Sequence, residues 1–151
     1  MARIYRLEHK SVKPKKYPDT PTFISVYDSQ NILYSSTILD DDYLSESEKS
    51  KWDMLKNTYD RLIGKHNDGD YRPTPCQDGI DFEFDREFCG SPSIDALAEW
   101  FEFVFDDFLK LGFVVREYIV DSTKIGDSGL QCVARYSEVK KSKIVEINLV
   151  D

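Results

Sequence analysis

One stretch narrows the possible folds more than any other: SPSIDALAEWFEFVFDDFLKLG, residues 91–112. Ile94, Leu97, Ala98, Phe101, Val104, Phe105, Phe108 and Leu109 recur at helical spacing and make one broad apolar stripe. Ser91 can serve as N-cap with Pro92 at the first helical position, and Gly112 is a natural stop. The pattern predicts a helix over about 92–111. A stripe this apolar must be buried against another element, so the helix demands a partner layer.

The rest of the chain supplies it. Arg3–His9 alternates as a strand, with Tyr5 and Leu7 on one side and Ile4, Arg6 and Glu8 on the other. Thr22–Tyr27 and Ile32–Ile38 read as a hairpin across Asp-Ser-Gln-Asn. A Ser45/Glu48 capping box precedes Trp52, Leu55, Tyr59, Leu62 and Ile63, predicting a second helix over about 46–63 that ends at Gly64. Ile80, Phe82 and Phe84 alternate with Asp81, Glu83 and Asp85, the pattern of a half-buried strand with an acidic outer face. Phe113–Val120, Leu130–Tyr136 and Lys143–Val150 complete the strands. Neighbouring strands that outnumber helices imply an α+β fold: a largely antiparallel sheet packed on two main helices. At 151 residues a single domain, 1–151, is expected.

Charge restricts function. The net charge is −8 but unevenly spread. Residues 1–16 carry six Lys/Arg and one Glu, whereas 66–109 carry two Arg and twelve Asp/Glu. A surface this acidic repels a phosphate backbone, so direct nucleic-acid binding is not expected. No apolar run is long enough to cross a bilayer and the N-terminus lacks the apolar core of a signal peptide, so no membrane role and a cytoplasmic location are expected. Three unpatterned cysteines fit reduced thiols.

Chemistry-bearing motifs are sparse. Cys76 and Cys89 stand too far apart for a close ligand pair, His9 and His66 are also separated, and Asn67-Asp68-Gly69-Asp70 lacks EF-hand spacing. No metal and no cofactor are expected. Cys89 precedes a helix start, but Asp85 and Glu87 beside it oppose a thiolate. No catalytic residue can be assigned, and the residues lean away from an enzyme. Two recognition surfaces remain. At 100° per residue Trp100 and Phe103 fall opposite the core stripe, among Glu99, Glu102, Asp106 and Asp107. Together with Asp81, Glu83 and Asp85 they would form an acidic partner-binding face with two aromatic anchors; burial of the two rings under a loop or the Trp52 helix is the plainer account. Arg6 and Glu8 share a strand face, as do Arg116 and Tyr118, and Gln131 and Arg135. Pairing of those strands would gather them into a solvated polar face or a pocket for an anion.

YRLEH, RPTPCQDGI, FCGSPSIDALAEWF, LGFVVREYIV and GLQCVARY together resemble a group of small phage and prophage proteins, over the first ten residues and 71–136. The resemblance implies an accessory protein of the host cytoplasm that binds and blocks a host protein or nucleoprotein complex, of anti-CRISPR or anti-restriction type; whether it forms a homo-oligomer is left open. A dense carboxylate array can compete with nucleic acid for a basic groove. The chain is also similar to ADP-ribosyltransferase folds, in which a first strand carries Arg or His, a strand leads into an aromatic–Ser segment opening a helix, and a late strand carries a catalytic Glu. That similarity implies nucleotide or NAD-derived ligand binding through Arg6 or His9, with FCGSPSIDALAEWF as the middle segment. Gln131 stands at the late position, where no carboxylate is present.

Overall fold

The computed structural model of the protein describes residues 1–9, 61, 72–83, 86–102, 104–110 and 113–148. The hairpin expected over 22–38 and the helix expected over 46–63 lie outside these, apart from Arg61, which is helical. The described order is β1 (Ala2–His9), β2 (Glu87–Gly90), α1 (Ile94–Trp100), α2 (Phe105–Lys110), β3 (Phe113–Val120), β4 (Lys124–Ile125), β5 (Cys132–Arg135) and β6 (Val139–Val145), with a 3-10 turn at Tyr136–Glu138. These form two antiparallel sheets, β1-β3-β6 and β2-β5-β4, with both helices packed on the first. The fold is α+β, as the strand and helix patterns imply.

Strands β1 and β3 of the first sheet are buried on both faces, whereas β6 at its edge is largely exposed, and this is why β1 and β3 do not alternate simply between apolar and polar. β1 and β3 pair from Ala2↔Val120 to His9↔Phe113. On one face Tyr5, Leu7, Phe113 and Val115 pack against Leu97, Trp100, Phe101, Val104 and Phe108 of the helical segment. On the other, Ile4, Tyr118 and Val120 pack against Phe88, Cys132 and Ala134 of the second sheet. Phe88 meets Tyr118 edge-on at 5.4 Å between centroids and stacks on Tyr136 at 5.0 Å. The molecule is thus layered, helices on sheet on sheet, with β1 and β3 in the middle.

Three expectations are corrected. The strand expected over 80–85 is not formed at 80–83. Arg86 and Glu87 donate their N–H groups to the Glu83 carbonyl at 3.0 and 2.9 Å, and Ile80 donates to the Pro75 carbonyl, so turns take the groups a ladder would need. The strand here is the shorter β2, beginning at Glu87. The helix expected over 92–111 is two helices. Its N-cap is Ser93, whose Oγ accepts the Ala96 N–H at 3.0 Å. After Trp100 the chain tightens: Glu102 donates to Glu99 O and Val104 to Phe101 O, each three residues back. The aromatic and β-branched run WFEFVF has little helix propensity to resist this. Finally, the last strand is Val139–Val145, earlier than expected, because the 3-10 turn returns the chain alongside β3 at once.

Candidate ligand cleft and its buried carboxylates

Among the described residues one isolated bridge joins the backbone of β1 to the end of β2. Tyr5 and Ser91 exchange backbone hydrogen bonds, both 2.8 Å. Gly90 is required beside it. A Cβ there would come within 2.7 Å of the Tyr5 carbonyl oxygen and against the Ile4 side chain. Next to this bridge lies a pocket of about 80 Å³. Arg6 and Leu7 of β1, Cys89 and Gly90 of β2, and Ser91 line one part of it; Leu97, Trp100, Phe101 and Gln131 line the rest. This is well below the ~300–1,000 Å³ of an ordinary ligand cleft, so it admits only the tip of a larger ligand, whose remainder stays outside. Strand β1, the turn into α1 and the approach to β5 therefore converge on one spot from three distant parts of the chain.

Behind the pocket, the polar residues of β1 and β3 come together as their spacing suggested, but buried rather than solvated. The Glu8 carboxylate is 2% exposed. It accepts the Tyr118 hydroxyl at 2.6 Å and the Arg116 Nε–H at 3.1 Å, and Arg6 Nη1 lies 3.5 Å away. The Arg6 guanidinium also sits over the Phe88 ring, 5.3 Å from its centroid. Burial pushes the Glu8 carboxyl up to about 7, against the lowering pull of Arg6, Tyr118 and Arg116. Burial likewise pushes the Tyr118 phenol up, with the Glu8 charge adding to it. On the opposite face, Glu117 accepts the Tyr5 hydroxyl at 2.7 Å. Of the residues expected to join this group, Arg135 is exposed and Gln131 is engaged elsewhere. His9 ends β1 opposite Phe113.

The segment RPTPCQDG builds the floor under Gln131. Thr74 N–H donates to Gln77 Oε1 at 3.0 Å and Gln77 N–H returns to Thr74 Oγ1 at 3.3 Å, closing the turn. Asp78, 3% exposed, accepts the Ser128 N–H and Oγ–H at 2.7 Å each and Gln131 Nε2 at 3.3 Å. Burial pushes its carboxyl up, but the Ser128 and Gln131 donors outweigh this and hold it below the usual range. Arg72 reaches the C-terminal end of α1. It donates to Glu99 O at 2.7 Å and Trp100 O at 3.0 Å, where the helix dipole favours a cation.

Arg72 also lies over the Trp100 ring, 5.9 Å from its centroid. Trp100 is 8% exposed and belongs to the core, so it is not an outward anchor. The helix break invalidates the single-helix projection that placed it outside, and the loop carrying Arg72 covers it. Phe103 and Asp85 lie outside the described residues. The other acids of that face, Asp81, Glu83, Glu99, Glu102, Asp106 and Asp107, are all exposed. Cys76 is exposed, Cys89 half-buried and Cys132 buried, none of the three in a disulfide, and burial raises Cys132 to about 12. Among the described residues no three His, Cys, Asp or Glu side chains group as metal ligands, and no helix is long and apolar enough to cross a membrane.

Sequence reasoning placed Arg6 and Gln131 together but missed Asp78, Arg72 and the depth of Glu8. Asp78 looked like one acid of a turn. Only the loop 126–131, about 50 positions on, gives it meaning.

This geometry defines a small α+β protein with a cleft where two sheets meet. The family described as Bacteriophage T4 Y00F protein matches residues 1–148, and the chain belongs to that family of phage proteins. No curated protein matches the chain, and no solved structure does.

Proposed function

We propose that this phage accessory protein works by binding, and that its cleft takes one end of a nucleotide or NAD-derived anion. The observation that carries this reading is the convergence of Arg6, Ser91 and Gln131 on one pocket. These are the segments singled out by the similarity to ADP-ribosyltransferases. Leu97, Trp100 and Phe101 offer apolar walls, and Arg6, whose guanidinium is almost wholly buried over Phe88, sets a permanent positive charge close behind the pocket for a phosphate. Gln131 argues for binding without transfer. A carboxamide cannot carry the negative charge that stabilises an oxocarbenium-like transition state. Calorimetric titration with NAD, ADP-ribose and cyclic nucleotides tests it. Saturable heat that weakens at least tenfold in Arg6→Lys, at a temperature where circular dichroism shows that variant still folded, is the expected result. Flat titrations with every ligand would overturn the reading.

A second reading rests on a different observation, the six exposed carboxylates at 81–83 and 99–107. In this reading the acidic face docks on a basic groove of a host nucleic-acid-handling or defence complex and excludes its polyanion, as an anti-CRISPR or anti-restriction inhibitor would. Trp100 is buried and is not an anchor of this face, and Phe103 lies outside the described residues. Reversal of Glu99, Glu102, Asp106 and Asp107 to Lys should abolish partner capture from a host lysate at unchanged stability. Undiminished capture would sink it.

A further inference from the structure

Arg6 and Arg116 are direct partners across β1 and β3. Like charges directly opposite on one sheet face repel, and burial strengthens the repulsion. Glu8 lies between them, on the same face, with Arg116 Nε at 3.1 Å and Arg6 Nη1 at 3.5 Å. Its second oxygen is fixed by the Tyr118 hydroxyl at 2.6 Å. Tyr118 is wholly buried, so the carboxylate has little freedom to swing away. One carboxylate therefore serves two guanidinium groups, and one of those belongs to the cleft.

We propose that Glu8 is the positioning residue of the cleft: it aims the Arg6 guanidinium, and its own protonation couples anion binding in the cleft to uptake of a proton. The inference rests on the cleft reading given above and deepens it. With Glu8 ionised, the Arg6–Glu8–Arg116 group carries a net single positive charge; with Glu8 protonated it carries two. An anion beside Arg6 favours the second state, so binding draws a proton onto Glu8. By linkage, a proton already on Glu8 strengthens anion binding by the same factor. The charged and titratable groups facing Glu8 are Arg6 on its own strand and Arg116 and Tyr118 on β3. From β2 it is Phe88, an uncharged ring, that packs on Arg6. Burial places the Glu8 carboxyl near 7, so the coupling operates around neutral pH.

The test is titration of the full chain with ADP-ribose, whose diphosphate stays ionised from pH 6 to pH 8, in two buffers of different ionisation enthalpy. The wild type should bind roughly tenfold tighter at pH 6 than at pH 8, and the buffer difference should report proton uptake on binding near pH 7. Glu8→Gln, an uncharged isostere, should bind with no pH dependence and no uptake. A Glu8→Gln protein that keeps the wild-type pH profile overturns the proposal. So does a wild type that binds with no proton uptake, which decides the matter even where Glu8→Gln fails to fold. In both cases the cleft reading survives. Absence of heat at every pH overturns the cleft reading, and this inference with it.

Discussion

Asp78 and Glu8 are both carboxylates with almost no solvent exposure, at 3% and 2%. Their acidities move in opposite directions. Glu8 has two guanidinium neighbours and is raised to about 7; Asp78 has no cation among its hydrogen-bond donors and is lowered. Formal charge nearby is therefore not what decides. Asp78 sits in a joint between two loops whose neighbours Gln77, Gly79, Asp127 and Ser128 are exposed, so its desolvation is modest. Three donors at fixed positions then win. Glu8 lies between two packed layers, beside Phe88 and Tyr118, where loss of hydration outweighs even paired arginines. One carboxylate is a structural pin. The other is a strained charge in the centre of the fold.

The largest effect should follow from removing the pin. Asp78→Ala leaves the Ser128 N–H, the Ser128 hydroxyl and the Gln131 amide without their acceptor, and should cost about 3 kcal/mol of unfolding free energy. Asp78→Asn keeps an acceptor oxygen and should cost about half as much. Chemical denaturation of both variants measures the difference. Equal, small losses would show that the donors find other partners and would break the contrast with Glu8.

Gly126 tests the same joint from the opposite side. A Cβ at this position would overlap the Asp78 carboxylate. Because that carboxylate is pinned, it cannot swing aside cheaply, and Gly126→Ala should cost about 2 kcal/mol. The double variant Gly126→Ala/Asp78→Ala should cost clearly less than the sum, since the clash disappears with the carboxylate.

Glu8 makes the contrast visible as pH dependence. Its ordinary value is 4.5 and its folded value is about 7. Between these the folded chain holds a proton that the unfolded chain has released, so stability falls as pH rises through the window. From pH 5.5 to pH 8 the wild type should lose about 2 kcal/mol, and Glu8→Gln should lose much less. Asp78 works at the other end. Its lowered value contributes stability that is lost as pH falls below the ordinary carboxylate range. A melting-temperature maximum near pH 4 to 5, between the ordinary Asp78 value and the Glu8 window, is the expected joint outcome. A plateau running unbroken to pH 8 in the wild type would remove Glu8 from the account.

Much of the fold was legible because periodicity survives translation into structure. Arg3–His9 and Phe113–Val120 become β1 and β3 nearly as read, and Arg6, Glu8, Arg116 and Tyr118 do share one face. What could not be read is depth. A polar residue on a strand face looks solvated until a second sheet is known to cover that face, and the second sheet is built from short segments of weak pattern, Glu87–Gly90 and Cys132–Arg135. The acidic alternation misled at Ile80–Glu83 for a related reason: period two does not distinguish a strand from a turn whose bonds run to Pro75 and Glu83. The outward Trp100 followed from extending one helical projection across a break that Arg72, nearly thirty residues upstream, helps to fix.

Glu87 is the intermediate case, and it sharpens the comparison most finely. Its carboxylate is 3% exposed, like the other two. It accepts the Glu83 N–H at 2.7 Å, as Asp78 accepts backbone N–H, and it pairs with Lys124 at 3.0 Å, as Glu8 pairs with arginine. Burial pushes it up, but the Glu83 N–H and Lys124 together hold it below the ordinary value. If fixed donors matter more than charge at such sites, the backbone bond should carry most of that lowering. Lys124 is half exposed, so its ion pair is screened and worth correspondingly little. Lys124→Gln should therefore cost no more than about 1 kcal/mol at pH 7. The acid limb of the stability curve should move only slightly to higher pH, because Glu87 stays ionised by virtue of Glu83. A shift of the limb by a full pH unit, followed by thermal melts from pH 3 to pH 6, would show that Lys124 is the dominant partner and would place Glu87 with Glu8 rather than with Asp78.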